Sequence, residues 1–169
     1  MPSSPVPLRN QPRRSAVAAV LDDKTLRLVR VFNAPRERVF DAWVVEQNFI
    51  QWMCPSNVHV DEVKLDVQPG GAWQLRGRNA SRNFVTSGKY VEVKRPERLV
   101  FTWAHHETAD FTSPRGHETT VHLEFRALGD KTELTLIHGP FADTASCNAH
   151  IEGWTGSFDK LEIYVQRTA

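Results

Sequence analysis

The sequence predicts an α+β fold in which a curved antiparallel sheet of about six or seven strands is laid against one long C-terminal helix. Three observations predict it. The middle of the chain is a succession of segments with period-two apolar alternation, separated by Gly, Pro and Asp turn residues. After Gly139-Pro140 the period lengthens: Cys147, Ile151, Trp154, Phe158, Leu161 and Val165 fall at spacings of 4, 3, 4, 3 and 4, a stripe along one helix. Two short segments at helical spacing follow the first strand, and neither is long enough to stand without docking on the sheet.

Taken in order, residues 1–23 carry Pro2, Pro5, Pro7 and Pro12 with Ser3 and Ser4 and no aromatic residue. They read as a disordered tail before a single domain over 24–169. Arg13-Arg14 ahead of Ala16–Leu21 imitates an export signal, but an apolar piece of about six residues falls short of a signal core. A cytoplasmic location is therefore expected. Leu26, Leu28, Arg30 and Phe32 alternate with Arg27, Val29 and Val31 as the first strand, which Asn33-Ala34-Pro35 breaks. Pro35 suits a first helical turn, and Val39, Phe40, Trp43 and Val44 give a helix over 35–45. A second helix over 46–53 buries Phe49, Ile50 and Trp52 and stops before Pro55.

The strands follow. Val58–Val67 leads to Gln68-Pro69-Gly70-Gly71, a type II turn signal. Trp73 and Leu75 mark the next strand, then 84–93, then Leu99, Phe101 and Trp103 on one parity. A long connection over 105–118 precedes Val121, Leu123 and Phe125, and Gly129-Asp130 turns the chain into Leu134, Leu136 and His138. Connections of that length are often lids or binding loops.

A chain of 169 residues, 40% hydrophobic and 24% charged, is sized and composed for one globular domain. Its net charge of +1 gives no general attraction for nucleic acid or an anionic membrane. No apolar run approaches the roughly 20 residues that span a bilayer. Cys54 and Cys147 read as buried, reduced thiols.

One helix cannot fill the concavity of a strongly curved sheet, so space for a largely apolar small molecule is expected between the layers. Residues on inward parities are its candidate lining: Trp43, Trp52, Trp73, Phe101, Trp103 and Leu136, with Trp154 and Phe158 from the long helix. His138 shares the parity of Leu136, and His150 lies one turn before Trp154, so both are candidate polar anchors or acid–base groups. Asp61 and Asp66 are the other acid–base candidates. His105 and His106 are adjacent and on a strand point to opposite faces, and no metal-ligand spacing occurs, so neither metal nor cofactor is expected. Gly70-Gly71 precedes strand pattern rather than a helix, which excludes a phosphate cradle. A homodimer is a candidate assembly.

Six ordered blocks carry a family resemblance. They are Val31–Trp43, Gln51-Trp52-Met53-Cys54-Pro55, Asp66–Trp73, Gly88–Val93 with Pro96–Phe101, Thr132–Leu136, and Gly153-Trp154 with Phe158-Asp159-Lys160-Leu161. Over about residues 25–166 the chain resembles the AHSA1-like branch of the SRPBCC (START-like) superfamily. The resemblance implies the helix-grip fold, a sheet wrapped around the long helix with an apolar cavity between them. It implies binding of lipids, hormones, polyketides or similar molecules, with cyclase- or hydratase-type acid–base enzymes and Hsp90-linked partner proteins as alternatives. Gln68 stands where arginine is common before Pro-Gly-Gly, and Met53-Cys54 where a Trp-Gly pair is frequent.

Overall fold

The structure, a computed structural model, describes residues 17–167. Strands β1 (Val17–Asp22) and β2 (Thr25–Phe32) form an opening hairpin, followed by helices α1 (Arg36–Val44) and α2 (Glu46–Trp52). Six strands come next: β3 (His59–Leu65), β4 (Ala72–Arg78), β5 (Asn83–Lys94), β6 (Arg98–His105), β7 (Thr119–Leu128) and β8 (Lys131–Gly139). Helix α3 (Thr144–Arg167) closes the fold. The strands make one antiparallel sheet in the order β1-β2-β8-β7-β6-β5-β4-β3. This is the predicted helix-grip architecture with one strand more.

The additional strand corrects the reading of the N-terminal segment. Val17–Asp22 is not structureless but pairs with β2 from Val17↔Val29 to Asp22↔Thr25. As an edge strand it has one neighbour, and Val20 and Leu21 on it are exposed. Residues 1–16 of the expected tail lie outside the described residues.

Register follows from burial. Leu28, Leu136, Leu123 and Leu99 face one another across β2, β8, β7 and β6, each fully buried. A one-residue slip would turn that row to the outer face. The next row, Leu26, His138, Val121, Phe101 and Tyr90, places one polar side chain among apolar ones. The turn between β3 and β4 is type II as its residues demand: Gly70 has φ +84 and Gly71 N donates to Gln68 O at 2.8 Å.

The two short helices close one end of the sheet. Trp52 Nε1 donates to Ala42 O at 2.9 Å, tying α2 to α1. Trp43 sits among Trp52, Phe101, Trp154 and Phe158, with ring centres 4.6–6.4 Å away. Five residues of the α3 stripe (Cys147, Trp154, Phe158, Leu161 and Val165) are fully buried, while Ile151 is partly so. Both cysteines are free thiols, Cys147 buried and Cys54 half-buried. Among the described residues no helix is long and apolar enough to cross a membrane.

Candidate functional site

The two halves of α3 differ in bulk on the side facing the sheet. Phe158, Leu161 and Val165 fill the C-terminal half. From its start to just past its middle, Ser146, Ala149, Gly153 and Ser157 form a flank of small side chains, and a cleft of about 360 Å³ opens beside it. Its apolar walls are Met53, Leu75, Phe84, Trp103 and Trp154, with Cys54 and Pro55 from the loop after α2. Arg82, at the turn before β5, stands exposed at the mouth. A second cavity of about 180 Å³ lies beyond it, lined in part by His117, Thr119 and Phe141. Trp103, His105, Ser146 and His150 belong to both, so they form the partition between the two.

The hydrogen bonds of that partition assign its protons. Ser146 O can only accept, so His150 donates from Nδ1 at 2.8 Å. Neutral His150 then accepts at Nε2 from His105 Nε2–H at 3.2 Å, and His105 Nδ1 accepts from the Thr86 hydroxyl at 2.8 Å. Burial, followed by the neighbouring His150 and Arg82, holds His105 down to about 4. Burial likewise lowers His150, with the Ser146 carbonyl opposing it. Two neutral rings therefore meet nitrogen to nitrogen where the cavities join.

His138 lies behind them, fully buried. An indole N–H can only donate, so Trp154 Nε1 gives its proton to His138 Nδ1 at 2.9 Å. His138 Nε2–H then donates to Thr119 Oγ1 at 2.7 Å, and the Thr119 hydroxyl donates to Trp103 O at 3.1 Å. Burial, then His150 and His105, pushes its pKa well below the usual histidine range. Both ring nitrogens are engaged within the protein, so His138 orients Trp154 and does not line either cavity.

Of the residues predicted to line a cavity, Trp103, His150 and Trp154 do so. Trp43, Trp73 and Phe101 instead surround a void of about 10 Å³, at the lower limit for one water molecule, and Trp73 also borders an open groove beside Ser87, Gly88 and Arg115. Trp52, Leu136 and Phe158 pack into the solid core. The space lies at one end of the helix, not along the centre of the sheet, because aromatic rings fill the centre. Asp61 is tied to His59 and Arg78 at 3.3 and 3.4 Å, and Asp66 accepts from Gln68, both away from the cleft. The apolar pattern of the sequence does not single out Arg82, Thr86 or His105 as part of the lining. The signal for His105 was its parity, shared with Trp103; for the cleft it was the 3, 4, 4 spacing of Ser146, Ala149, Gly153 and Ser157.

His105 and His106 do face opposite ways. His106 accepts from the Ser87 hydroxyl at 2.7 Å and donates from Nδ1 to Ser113 O at 3.1 Å. Arg115 donates to Ser87 Oγ and Ser87 O at 3.0 and 2.9 Å, and Arg76 stacks on Phe111 at 5.0 Å. The long β6–β7 connection is thus clamped to the face of β4 and β5 opposite the cleft.

Comparison with known proteins agrees with this architecture. The family described as Activator of Hsp90 ATPase homolog 1-like protein matches residues 33–166. The crystal structure of the AHSA1 protein from Silicibacter pomeroyi is 30% identical, with a TM-score of 0.76 over 86% of this chain and 99% of that one. A protein from Chromobacterium violaceum shares the fold at 21% identity, TM-score 0.72, over 84% and 96% of the two chains. One from Rhodobacter sphaeroides does so at 17% identity, TM-score 0.76, over 90% and 99%. No curated protein matches. With the matched family spanning α1 to the end of α3 on a helix-grip scaffold, the chain belongs to the activator of Hsp90 ATPase homolog 1-like family of START-like proteins.

Proposed function

We propose that the protein binds a small, largely apolar molecule in the cleft beside the N-terminal half of α3. Family membership supports a ligand-binding or co-chaperone-like domain. The observation favouring the first is the cleft itself: about 360 Å³ lined by Met53, Leu75, Phe84, Trp103 and Trp154, within the usual size range of ligand sites. The volume admits about a dozen non-hydrogen atoms at the roughly 30 Å³ each that liquid water takes. A guest that size gains transfer free energy by leaving water for these walls, at about 25 cal/mol per Å² of apolar surface buried.

Native mass spectrometry of freshly purified protein, followed by thermal shift against medium-chain fatty acids and alcohols, monoterpenes and single-ring aromatic molecules, tests the reading. At a ligand concentration of 100 times Kd the stabilisation is about 2.7 kcal/mol, a rise of roughly 5–10 °C for a domain of this size. Gly153→Leu supplies the control. A Cβ at Gly153 meets nothing within 4 Å, so the larger side chain enters the cleft without a clash at its root. The variant should fold and lose the shift. A parent protein indifferent to the whole panel overturns the proposal.

A further inference from the structure

Every titratable side chain in the walls of the two cavities, apart from the Cys54 thiol, is basic: Arg82, His105, His117 and His150, with no aspartate or glutamate. The Arg82 side chain has no ion-pair or hydrogen-bond partner among the described residues. The partition presents one donor, His105 Nε2–H, and one acceptor, His150 Nε2, facing each other at 3.2 Å. A carboxylic acid carries the complementary pair on one carbon, an O–H that donates and a carbonyl oxygen that accepts. An ester lacks the donor, and an alcohol, which can donate and accept through its one oxygen, lacks the negative charge that these basic walls and Arg82 favour. Trp103, whose ring walls both cavities, adds a buried indole N–H with no acceptor among the described residues.

We propose that the ligand is a small carboxylic acid, its apolar body in the larger cavity and its carboxyl group inserted between His105 and His150. The inference rests on the cleft being the ligand site and names the chemical class it takes. Insertion replaces the single His105–His150 hydrogen bond with two: His105 Nε2–H to one carboxyl oxygen, and a proton shared between the other oxygen and His150 Nε2. Arg82 draws the anion to the mouth. Around the pair, His138 from β8, His117 from the segment before β7, His106 beside His105, and Arg82 are the titratable or charged groups that matter. They add no negative charge to compete with the ligand. The free pair is neutral near pH 7 because burial disfavours the imidazolium. A carboxylate arriving from solution at pH 7.5 therefore binds with uptake of about one proton, wherever that proton rests between oxygen and nitrogen.

Isothermal titration of the full chain with decanoate and with 1-decanol, at pH 7.5 in phosphate and in Tris, reads this directly, because buffer ionisation enthalpy reports proton exchange. Decanoate should bind at least about tenfold tighter than decanol, as an added charge-assisted hydrogen bond implies, and take up about one proton; decanol should take up none. His150→Phe and His150→Gln should each remove the proton uptake and the preference for decanoate while decanol still binds. Two variants of different bulk guard against one that misfolds, with circular dichroism confirming the fold. Equal affinities, or decanoate binding without proton uptake, overturn the carboxylic acid inference and leave the cleft as an apolar site. Failure of both probes to bind the parent protein counts against the cleft reading itself and takes this one with it.

Discussion

Cys54 is a non-glycine residue with φ +71, in the left-handed region where a Cβ crowds the following carbonyl. It ends the segment after α2, holds its carbonyl toward Lys160 Nζ at 3.1 Å, and passes the chain to Pro55 at the cleft. The Trp-Gly pair frequent in the family at Met53-Cys54 now has a backbone reason: a glycine there adopts this φ without strain. Burial pushes the Cys54 thiol up to about 12, against the opposing charge of Lys160, so it stays protonated and unreactive. Replacing Cys54 by glycine relieves the crowding, whereas valine worsens it. Cys54→Gly should therefore be more stable than Cys54→Val by about 1–2 kcal/mol in urea denaturation. Equal midpoints would show that the turn does not need the left-handed conformation.

At the scale of the element, α3 does two jobs with its two halves. Asp143 begins it, its carboxylate accepting from Ser146 N at 2.7 Å as an N-cap does. Two glycines then sit three residues apart in different surroundings. A Cβ at Gly153 enters open space, but one at Gly156 would come within 2.7 Å of Pro55 Cβ. Helix propensity favours alanine over glycine by up to about 1 kcal/mol at both. Gly153→Ala should realise that gain, while Gly156→Ala should be less stable than the parent because α3 is forced off the loop after α2. Thermal melts of the pair decide it; two equal gains would mean the loop yields freely. The same helix shows what was legible in the sequence. Its buried stripe stood out because Trp154, Phe158 and Leu161 are large and periodic. The cleft did not, because a cavity is what small residues leave unfilled, and Ser146, Ala149 and Gly153 have no apolar signal of their own. Parity placed His138 inward, yet it could not show that Trp154 and Thr119 would occupy both its nitrogens, since that requires α3 and β7 to be docked. The β1 edge strand escaped for the converse reason, its apolar run having no alternating face to reveal.

For the whole molecule, three neighbouring imidazoles, His138 fully buried, His150 half-buried and His105 partly open to solvent, make folding depend on pH between about 6.5 and about 4. His138, His105 and His150 all titrate below their ordinary range in the folded chain, chiefly through burial, and His105 falls to about 4. In the unfolded chain each returns to about 6.5. Between those limits the unfolded state binds more protons than the folded one, so stability falls as pH falls. The stabilisation is complete above about 6.5 and is lost progressively toward the folded pKa values. Asp110 and Asp143, lowered by their hydrogen bonds to Thr112 and Ser146, add their own loss only in the carboxylate range beneath that window. The urea midpoint of the ligand-free protein should therefore drop from pH 7 to pH 5, where exposed carboxylates are still ionised. His150→Gln should flatten that drop, removing one titrating ring and relieving its repulsion of His105 and His138. A midpoint unchanged between pH 7 and pH 5 would mean that protons reach the three rings as easily in the fold as outside it.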